Sequence, residues 1–330
     1  MTNPDPHPAE RVISCGEDVT VEVIVPREVP LGGPRAMTVR RTLPARHRSL
    51  IGAWCFVDHY GPDPVAETGG MSVAPHPHIG LQTVSWLFTG EIEHRDSTGV
   101  HAMVRPGEFN LMTGGRGISH SEVSTPQTDA LHGVQMWVAL PAGAKDVAPG
   151  FEHHVPTPLD GEGWQARVFV GSLLGDTSPV TTHTPLLGAE LLLDDDAALV
   201  LDLDPTFEHG ILLDAGSLGV GEEEVAPGEL LYLGTGHQRV TLRAGRAARI
   251  VVIGGPPFGE EILMWWNFVG RTHEEVVAAR EEWQAQLHRD GVLVTDSTEV
   301  VPGRFGVVDG QHLPPIPAPA MPGVRLRPRS

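Results

Sequence analysis

Several features are scarce in this 330-residue chain, and each scarcity excludes a class of protein. Only two cysteines, Cys15 and Cys55, are present. A disulfide framework is therefore excluded, and unpaired thiols in a reducing compartment are expected. No apolar run approaches the ~18 residues of a membrane-spanning helix, and the N-terminus lacks the basic and apolar regions of a signal peptide. The sequence predicts a soluble, cytoplasmic protein with no membrane partner.

Positive charge is also scarce, because 23 lysines and arginines, of which only Lys145 is a lysine, face 42 acidic residues. The resulting net charge of −19 would repel a phosphate backbone, so direct binding of nucleic acid is not expected. Residues 151–330 carry 26 acids and 12 bases. We interpret this excess as a solvated surface of the second half of the chain.

Glycine and proline are abundant, at 39 and 30 residues, without the period of three that collagen requires. Between these turn residues lie short apolar, β-branched runs, which predict an all-β sandwich or barrel. The runs are 17–25, 83–88, 134–140, 166–171, 190–193, 198–203, 210–213, 229–233 and 249–253. One helix is expected from His273 to about Leu287, with Thr272 as its N-cap.

A repeated turn indicates that the barrel is duplicated. Pro106-Gly107-Glu108 in the first half matches Pro227-Gly228-Glu229 in the second, and each triplet precedes strand residues and a glycine-rich turn. Residues 141–158 have the composition of a linker. We therefore predict an N-terminal domain over 17–145, a C-terminal domain over 146–290 and an extended, proline-rich or disordered tail over 291–330.

Two pairs of side chains carry the chemical signal. His76 and His78 are two residues apart, as are His120 and Glu122, which follow the glycine-rich turn at 114–117. Residues i and i+2 of a strand share a face, so both pairs can point into one space. Three imidazoles and one carboxylate suit iron, nickel, cobalt, manganese or copper better than calcium or magnesium. A chance His-x-His among 17 histidines is the competing interpretation, and the second pair weakens it.

The same segments resemble the signatures of the pirin family. They are Pro75–His78, Gly90–Ser97, Gly115–Glu122, Arg40–Pro44 and Phe56–Pro62. Pirins are bicupins, so the resemblance implies an all-β fold with two cupin (double-stranded β-helix, or jelly-roll) barrels and a short C-terminal helix. It further implies a metal in the N-terminal barrel only, usually iron, held by His76, His78, His120 and Glu122.

The resemblance also implies an activity. Several pirins show quercetin 2,3-dioxygenase activity, which would make a flavonol-like aromatic compound and O2 the substrates and Glu122 the catalytic proton acceptor. Fe(II) is the first choice of divalent metal, with Ni, Co, Mn or Cu as alternatives. Two other interpretations stay open: an iron-dependent regulatory or protein-binding pirin without turnover, whose partner is unknown, and a vestigial cupin that binds no metal.

The remaining histidines and the tryptophan pair are given other roles. His94 is expected to have a structural role, supporting either the barrel rim or the metal ligands from outside, and His59 either to line the pocket or to brace the ligands. His101, His132, His153 and His154 are not expected to be ligands. In the second barrel, His209 and His237 are expected to be surface or hydrogen-bonded residues, and Trp265 and Trp266 to pack in the core or between domains.

Overall fold

The computed structural model describes residues 10–14, 20–30 and 37–328. Strands dominate this part of the chain, as the sequence predicts. Cys15 and residues 17–19 of the first predicted strand lie outside the described residues. Cys55 is buried and unpaired, and burial raises the pKa of its thiol to about 12.

The first part of the chain is built from strands of between four and eleven residues and one short helix. They are β1 Glu10–Ser14, β2 Thr20–Ile24, β3 Arg27–Pro30, β4 Thr38–Leu43, β5 Trp54–Pro64, helix α1 Val65–Thr68, β6 Ser72–His78, β7 Leu81–Thr89, β8 Ile92–Asp96, β9 His101–Val104, β10 Phe109–Thr113, β11 Ile118–Ser124, β12 Ala130–Ala139 and β13 Gly150–His154.

The second part is again mostly strands, followed by a longer helix. They are β14 Leu159–Gly161, β15 Trp164–Val170, β16 Ser172–Leu173, β17 Asp176–Thr177, β18 Leu187–Leu193, β19 Ala198–Asp202, β20 Glu208–Val220, β21 Glu223–Val225, β22 Leu230–Leu233, β23 Arg239–Gly255, β24 Leu263–Trp265, β25 Phe268–Gly270, helix α2 His273–Gln286, β26 His288–Arg289, β27 Val292–Leu293 and the 3-10 helix Ser297–Glu299.

Two sheets form the N-terminal barrel. One has the strand order β13-β10-β7-β12-β5-β4-β3 and the other β6-β11-β8-β9. Apolar side chains from both sheets pack between them, among them Val39, Tyr60, Val73 and Ile92. Successive side chains of a strand point to opposite faces, so every second residue of these strands can line this interior. The smaller sheet carries both predicted ligand pairs.

The C-terminal barrel is formed by a larger sheet with the order β1-β2-β22-β20-β23-β18-β15-β14, in which β19 also pairs with β23 and β21 with β20. A shared core joins it to the first barrel. Trp86 and Phe109 of the N-terminal barrel pack there with Phe169 of the C-terminal barrel, at ring-centroid distances of 4.7 and 5.2 Å from Phe169. The two barrels therefore bury a common apolar interface.

Two strands pair across the predicted domain limits. β2 joins β22 of the C-terminal sheet, and β13 joins β10 of the N-terminal sheet. Part of the segment interpreted as a linker is thus a strand of the first barrel, because Gly150–His154 completes the edge that β10 leaves open. The domain limits at 145 and 290 stay a prediction. Because β2 and β13 each pair with the sheet of the other predicted domain, a single position in the chain does not separate the two barrels.

The predicted helix is confirmed as α2, and the Thr272 hydroxyl caps it by accepting the Glu275 backbone N–H at 3.2 Å. Its buried face includes Val276, Ala279 and Trp283. The tail beyond residue 291 contains little regular structure, yet Phe305 is fully buried and Ala318 is nearly so. Tertiary packing therefore holds the tail in place, although its proline content disfavours helices and strands. Among the described residues, no helix is long and apolar enough to cross a membrane.

Candidate metal centre

The two predicted pairs lie on adjacent antiparallel strands. On β6 and β11, His76 faces His120 directly across the ladder. The turn before β11 needs glycine, because Gly115 has a φ of +52° and a Cβ there would lie 2.1 Å from the Val147 carbonyl oxygen. The strand period then turns His76, His78, His120 and Glu122 to the barrel interior, where all four are buried.

The three imidazoles form one compact group. Their candidate ligand nitrogens all lie within 4.8 Å of one another. His78 Nε2 is 3.0 Å from His120 Nε2, and the His76 and His120 ring centroids are 4.4 Å apart. The structure thus brings together three of the four residues that the sequence predicts as ligands.

Backbone carbonyls fix the orientation of two of these rings. His76 Nδ1 lies 2.9 Å from the Ala74 oxygen, and His78 Nδ1 lies 3.1 Å from the Asn267 oxygen. A carbonyl can only accept, so each Nδ1 carries the proton and each Nε2 presents a lone pair to the shared space. Asn267 belongs to the turn between β24 and β25. Every residue has a backbone carbonyl, so the sequence contains no signal that predicts this contact.

Burial keeps these rings neutral. It lowers the pKa of His76 and lowers those of His78 and His120 further, and neighbouring histidines add to each effect. In addition, His120 Nδ1 is buried without a hydrogen-bond partner among the described residues. Neutral imidazoles with converging Nε2 lone pairs are the form in which histidine binds a metal. This donor set fits a divalent transition metal.

Glu122 belongs to a second group of candidate ligands, which shares His120 with the first. Its carboxylate forms this compact group with His120 and His94. Gln135 donates to Glu122 Oε2 at 2.8 Å and Ser85 donates to Oε1 at 3.3 Å. Both donors are neutral, so they position the carboxylate without neutralising its charge.

His94 forms a hydrogen bond with a neighbouring carboxylate. Its Nε2 lies 3.2 Å from Asp96 Oδ2, and its ring packs against Phe151 at a centroid distance of 4.8 Å. Because the carboxylate holds Nε2, His94 supports the wall of the centre. His153 binds Glu108 at 3.0 Å on an exposed edge, away from the centre.

A second cluster of buried histidines lies between the barrels, and no pattern in the sequence predicts it. His59 Nε2 and His132 Nε2 approach Asp214 Oδ1 at 2.7 and 2.6 Å. Although burial alone would raise it, the hydrogen bonds from His132 and His59 hold the pKa of Asp214 below its ordinary value. His59 therefore neither lines the candidate centre nor braces its ligands; it ties the N-terminal barrel to β20.

The expectation for His209 is wrong. It is fully buried, and neither ring nitrogen has a hydrogen-bond partner among the described residues. Burial, with His237 nearby, lowers the pKa of His209 to about 4. His209 is the second residue of β20 and is paired with residues on both flanking strands, so the closed barrel shields it from water. Trp265 and Trp266 are half-buried and pack against the cluster around α2, as predicted.

The fold and the centre together define a class, that of two-barrel cupins with a histidine-rich pocket in the first barrel. The family model for pirin matches residues 36–138, and that for the pirin C-terminal cupin domain matches residues 188–288. The chain belongs to the pirin family.

Individual relatives agree with this assignment. The chain is 43% identical to a putative quercetin 2,3-dioxygenase of Pseudomonas aeruginosa, covering 91% of this chain and 90% of that one. It is 33% identical to a pirin-like protein of Caulobacter vibrioides, covering 75% of this chain and 88% of the relative. A crystal structure of quercetin 2,3-dioxygenase from Acinetobacter baumannii superimposes with a TM-score of 0.83 at 36% identity, covering 93% of this chain and 97% of that one.

Proposed function

We propose that this pirin is a divalent-metal-dependent oxygenase of the quercetin 2,3-dioxygenase type. Its metal would be held by His76, His78, His120 and Glu122, with Fe(II) as the first candidate and Ni, Co, Mn or Cu as alternatives. The observation that carries the proposal is the pair of Nδ1–carbonyl contacts, at 2.9 and 3.1 Å, which turn two Nε2 lone pairs toward His120. The names of the Pseudomonas and Acinetobacter relatives support a flavonol-like substrate and O2.

When bound, the metal would act as a Lewis acid that lowers the pKa of a substrate hydroxyl. The chain itself must then accept the proton, and we assign this role to Glu122, whose carboxylate must loosen from the metal to do so. The hydrogen bond from Gln135 to Oε2 holds one carboxylate oxygen, while the more weakly held Oε1 can turn toward the substrate. The barrel walls exclude bulk water, since all four proposed ligands are buried.

Metal binding is tested first. His76→Ala and Glu122→Ala should sharply lower the metal content of protein purified without a chelating tag, whereas His153→Ala, an exposed histidine outside the centre, should leave it unchanged. Equal metal content in all of these variants would show that the ligands are assigned incorrectly.

Turnover is tested by oxygen uptake with quercetin, measured with protein loaded in turn with Fe, Ni, Co, Mn and Cu. Glu122→Gln retains an oxygen donor but cannot accept the proton, so it should keep more metal than Glu122→Ala and still lose oxygen uptake. If the wild-type protein binds metal but consumes no oxygen with any of these metals, the oxygenase assignment is wrong and the non-catalytic, regulatory interpretation is favoured.

A further inference from the structure

The strand that carries His76 and His78 lies at the edge of its sheet and has an irregular ladder. Among the strands that the structure describes, β6 pairs only with β11. Pro75 and Pro77 have no N–H to donate. The register also shifts, because His120 faces His76 while Glu122 faces Val73. Such a bulge leaves backbone groups unpaired.

Each carbonyl of this bulge has a separate partner. The Ala74 oxygen lies 2.9 Å from His76 Nδ1 and so orients a proposed ligand. The next carbonyl, that of Pro75, accepts the backbone N–H of Ile316 at 2.8 Å. A residue of the C-terminal tail therefore completes the hydrogen bonding of the bulge that orients His76.

The same tail contacts the outward side of β11. Ser119 and Ser121 alternate with the inward-facing His120 and Glu122. Ser119 donates to the Phe305 carbonyl at 2.9 Å, and Gln311 reaches the Ser121 hydroxyl at 3.4 Å. Residues flanking both ligands on β11 are thus held from outside the barrel.

Phe305 links this segment to the rest of the centre. It is fully buried, and its ring centroid lies 5.6 Å from that of Trp283 on α2 and 6.0 Å from that of Phe268. Phe268 directly follows Asn267, whose carbonyl orients His78. One packed unit therefore contacts the surroundings of His76, His78 and His120.

We propose that residues 304–316 form a positioning element of the metal centre, so that docking of this segment and metal binding stabilise each other. This inference rests on the proposed metal site but not on the proposed oxygenase activity. Coupling of this kind is reciprocal: if the docked tail raises the affinity for metal, bound metal must strengthen docking by the same factor. Ile316 and Ser119 act through the ligand strands and are positioning residues.

The first experiment compares two substitutions at one position. Ile316→Pro removes the N–H that the Pro75 carbonyl accepts, whereas Ile316→Ala shortens the side chain and keeps the N–H. Metal affinity is measured by competition with a chelator. Loss of groups that orient metal ligands typically weakens affinity by about 10–100-fold, so we expect Ile316→Pro to bind metal about 10-fold more weakly than Ile316→Ala.

Ser119→Ala provides an independent test if Ile316→Pro does not fold. It removes the donor to the Phe305 carbonyl without altering the tail sequence, and it should also weaken metal binding. His153→Ala is the control, because this exposed histidine lies outside residues 304–316 and contacts Glu108 rather than the ligand strands. Its metal affinity should equal that of the wild-type protein.

The reciprocal effect is measured by limited trypsin digestion after Arg304, which precedes the buried Phe305. Saturating metal should slow this cleavage in the wild-type protein but not in His120→Ala. Two results would overturn the inference. The first is equal metal affinity in Ile316→Pro and Ile316→Ala together with wild-type metal affinity in Ser119→Ala. The second is a rate of trypsin cleavage in the wild-type protein that metal does not change. If the ligand variants still lose metal in that case, the proposed site stands; if the wild-type protein binds no metal, both proposals are wrong.

Discussion

The two buried histidine clusters differ in which ring nitrogen is held by the protein. In the candidate metal centre, His76 and His78 donate from Nδ1 to carbonyls and leave Nε2 free. Between the barrels, His59 and His132 use Nε2 itself to contact Asp214, and His59 Nδ1 has no partner among the described residues. The two clusters thus have similar burial and similar residue types. The candidate metal centre presents free ring nitrogens to a metal, whereas the cluster between the barrels forms hydrogen bonds that connect them.

The two clusters also differ in the charge of the side chains around their carboxylates. Arg249 lies 3.5 Å from Asp214 Oδ2, and an Arg40 nitrogen lies 3.3 Å from His59 Nε2. These guanidinium groups offset the buried carboxylate and oppose the approach of a cation. Glu122, in contrast, receives hydrogen bonds from the neutral side chains of Gln135 and Ser85 and keeps its full attraction for a metal.

The largest expected effect separates the clusters by metal affinity. His120→Ala removes a proposed ligand and should weaken metal binding by more than about 100-fold, since changes to groups that only orient ligands already cost about 10–100-fold. His132→Ala removes another buried histidine, this one from the interface, and should leave the affinity unchanged. Metal titration of both variants checks this. Loss of affinity in His132→Ala would mean that the clusters are not functionally separate.

The next effect concerns stability. Asp214→Ala leaves two buried histidine donors and Arg249 without their carboxylate, so the free energy of unfolding should fall by about 3–5 kcal/mol. Asp202→Ala is the matched control, because it breaks an exposed pair with Arg239 that should contribute at most about 1 kcal/mol. Urea denaturation of the metal-free proteins measures both values. Similar losses in the two variants would show that Asp214 does not join the barrels.

The sequence predicted the all-β class, helix α2 and the inward placement of His76, His78, His120 and Glu122, because these depend on strand and helix periods within short segments. It could not predict the Asp214 cluster, since His59 and Asp214 are 155 residues apart and meet only when the barrels pack. The packing of the tail could not be predicted for a related reason: burial of Phe305 depends on α2 and on the β24–β25 turn. The local composition of the tail indicates only that helices and strands are disfavoured there.

The smallest expected effect is a difference in pH dependence between the wild-type protein and a variant of the interface cluster. Burial lowers the pKa of His59 in the folded state, even though Asp214 opposes this shift. Below about pH 6.5, the unfolded chain therefore binds a proton that folded His59 resists, and stability falls as the pH decreases. The low pKa of Asp214 means that its own contribution persists until the pH falls well below the ordinary range of a carboxyl group.

His59→Gln tests this assignment, because glutamine retains an N–H for Asp214 but does not titrate. Between pH 6.5 and 5.5, the variant should lose less stability than the wild-type protein, by up to about 1.4 kcal/mol per pH unit for one proton. His153→Gln, on the exposed strand β13, serves as the control. Denaturation of the metal-free proteins at both pH values gives the slopes, and identical slopes for wild-type and His59→Gln would remove His59 as a source of the acid sensitivity. The slope that remains in His59→Gln comes from the other titrating groups of the protein, which include the buried histidines of the metal centre, whose protonation competes directly with metal binding.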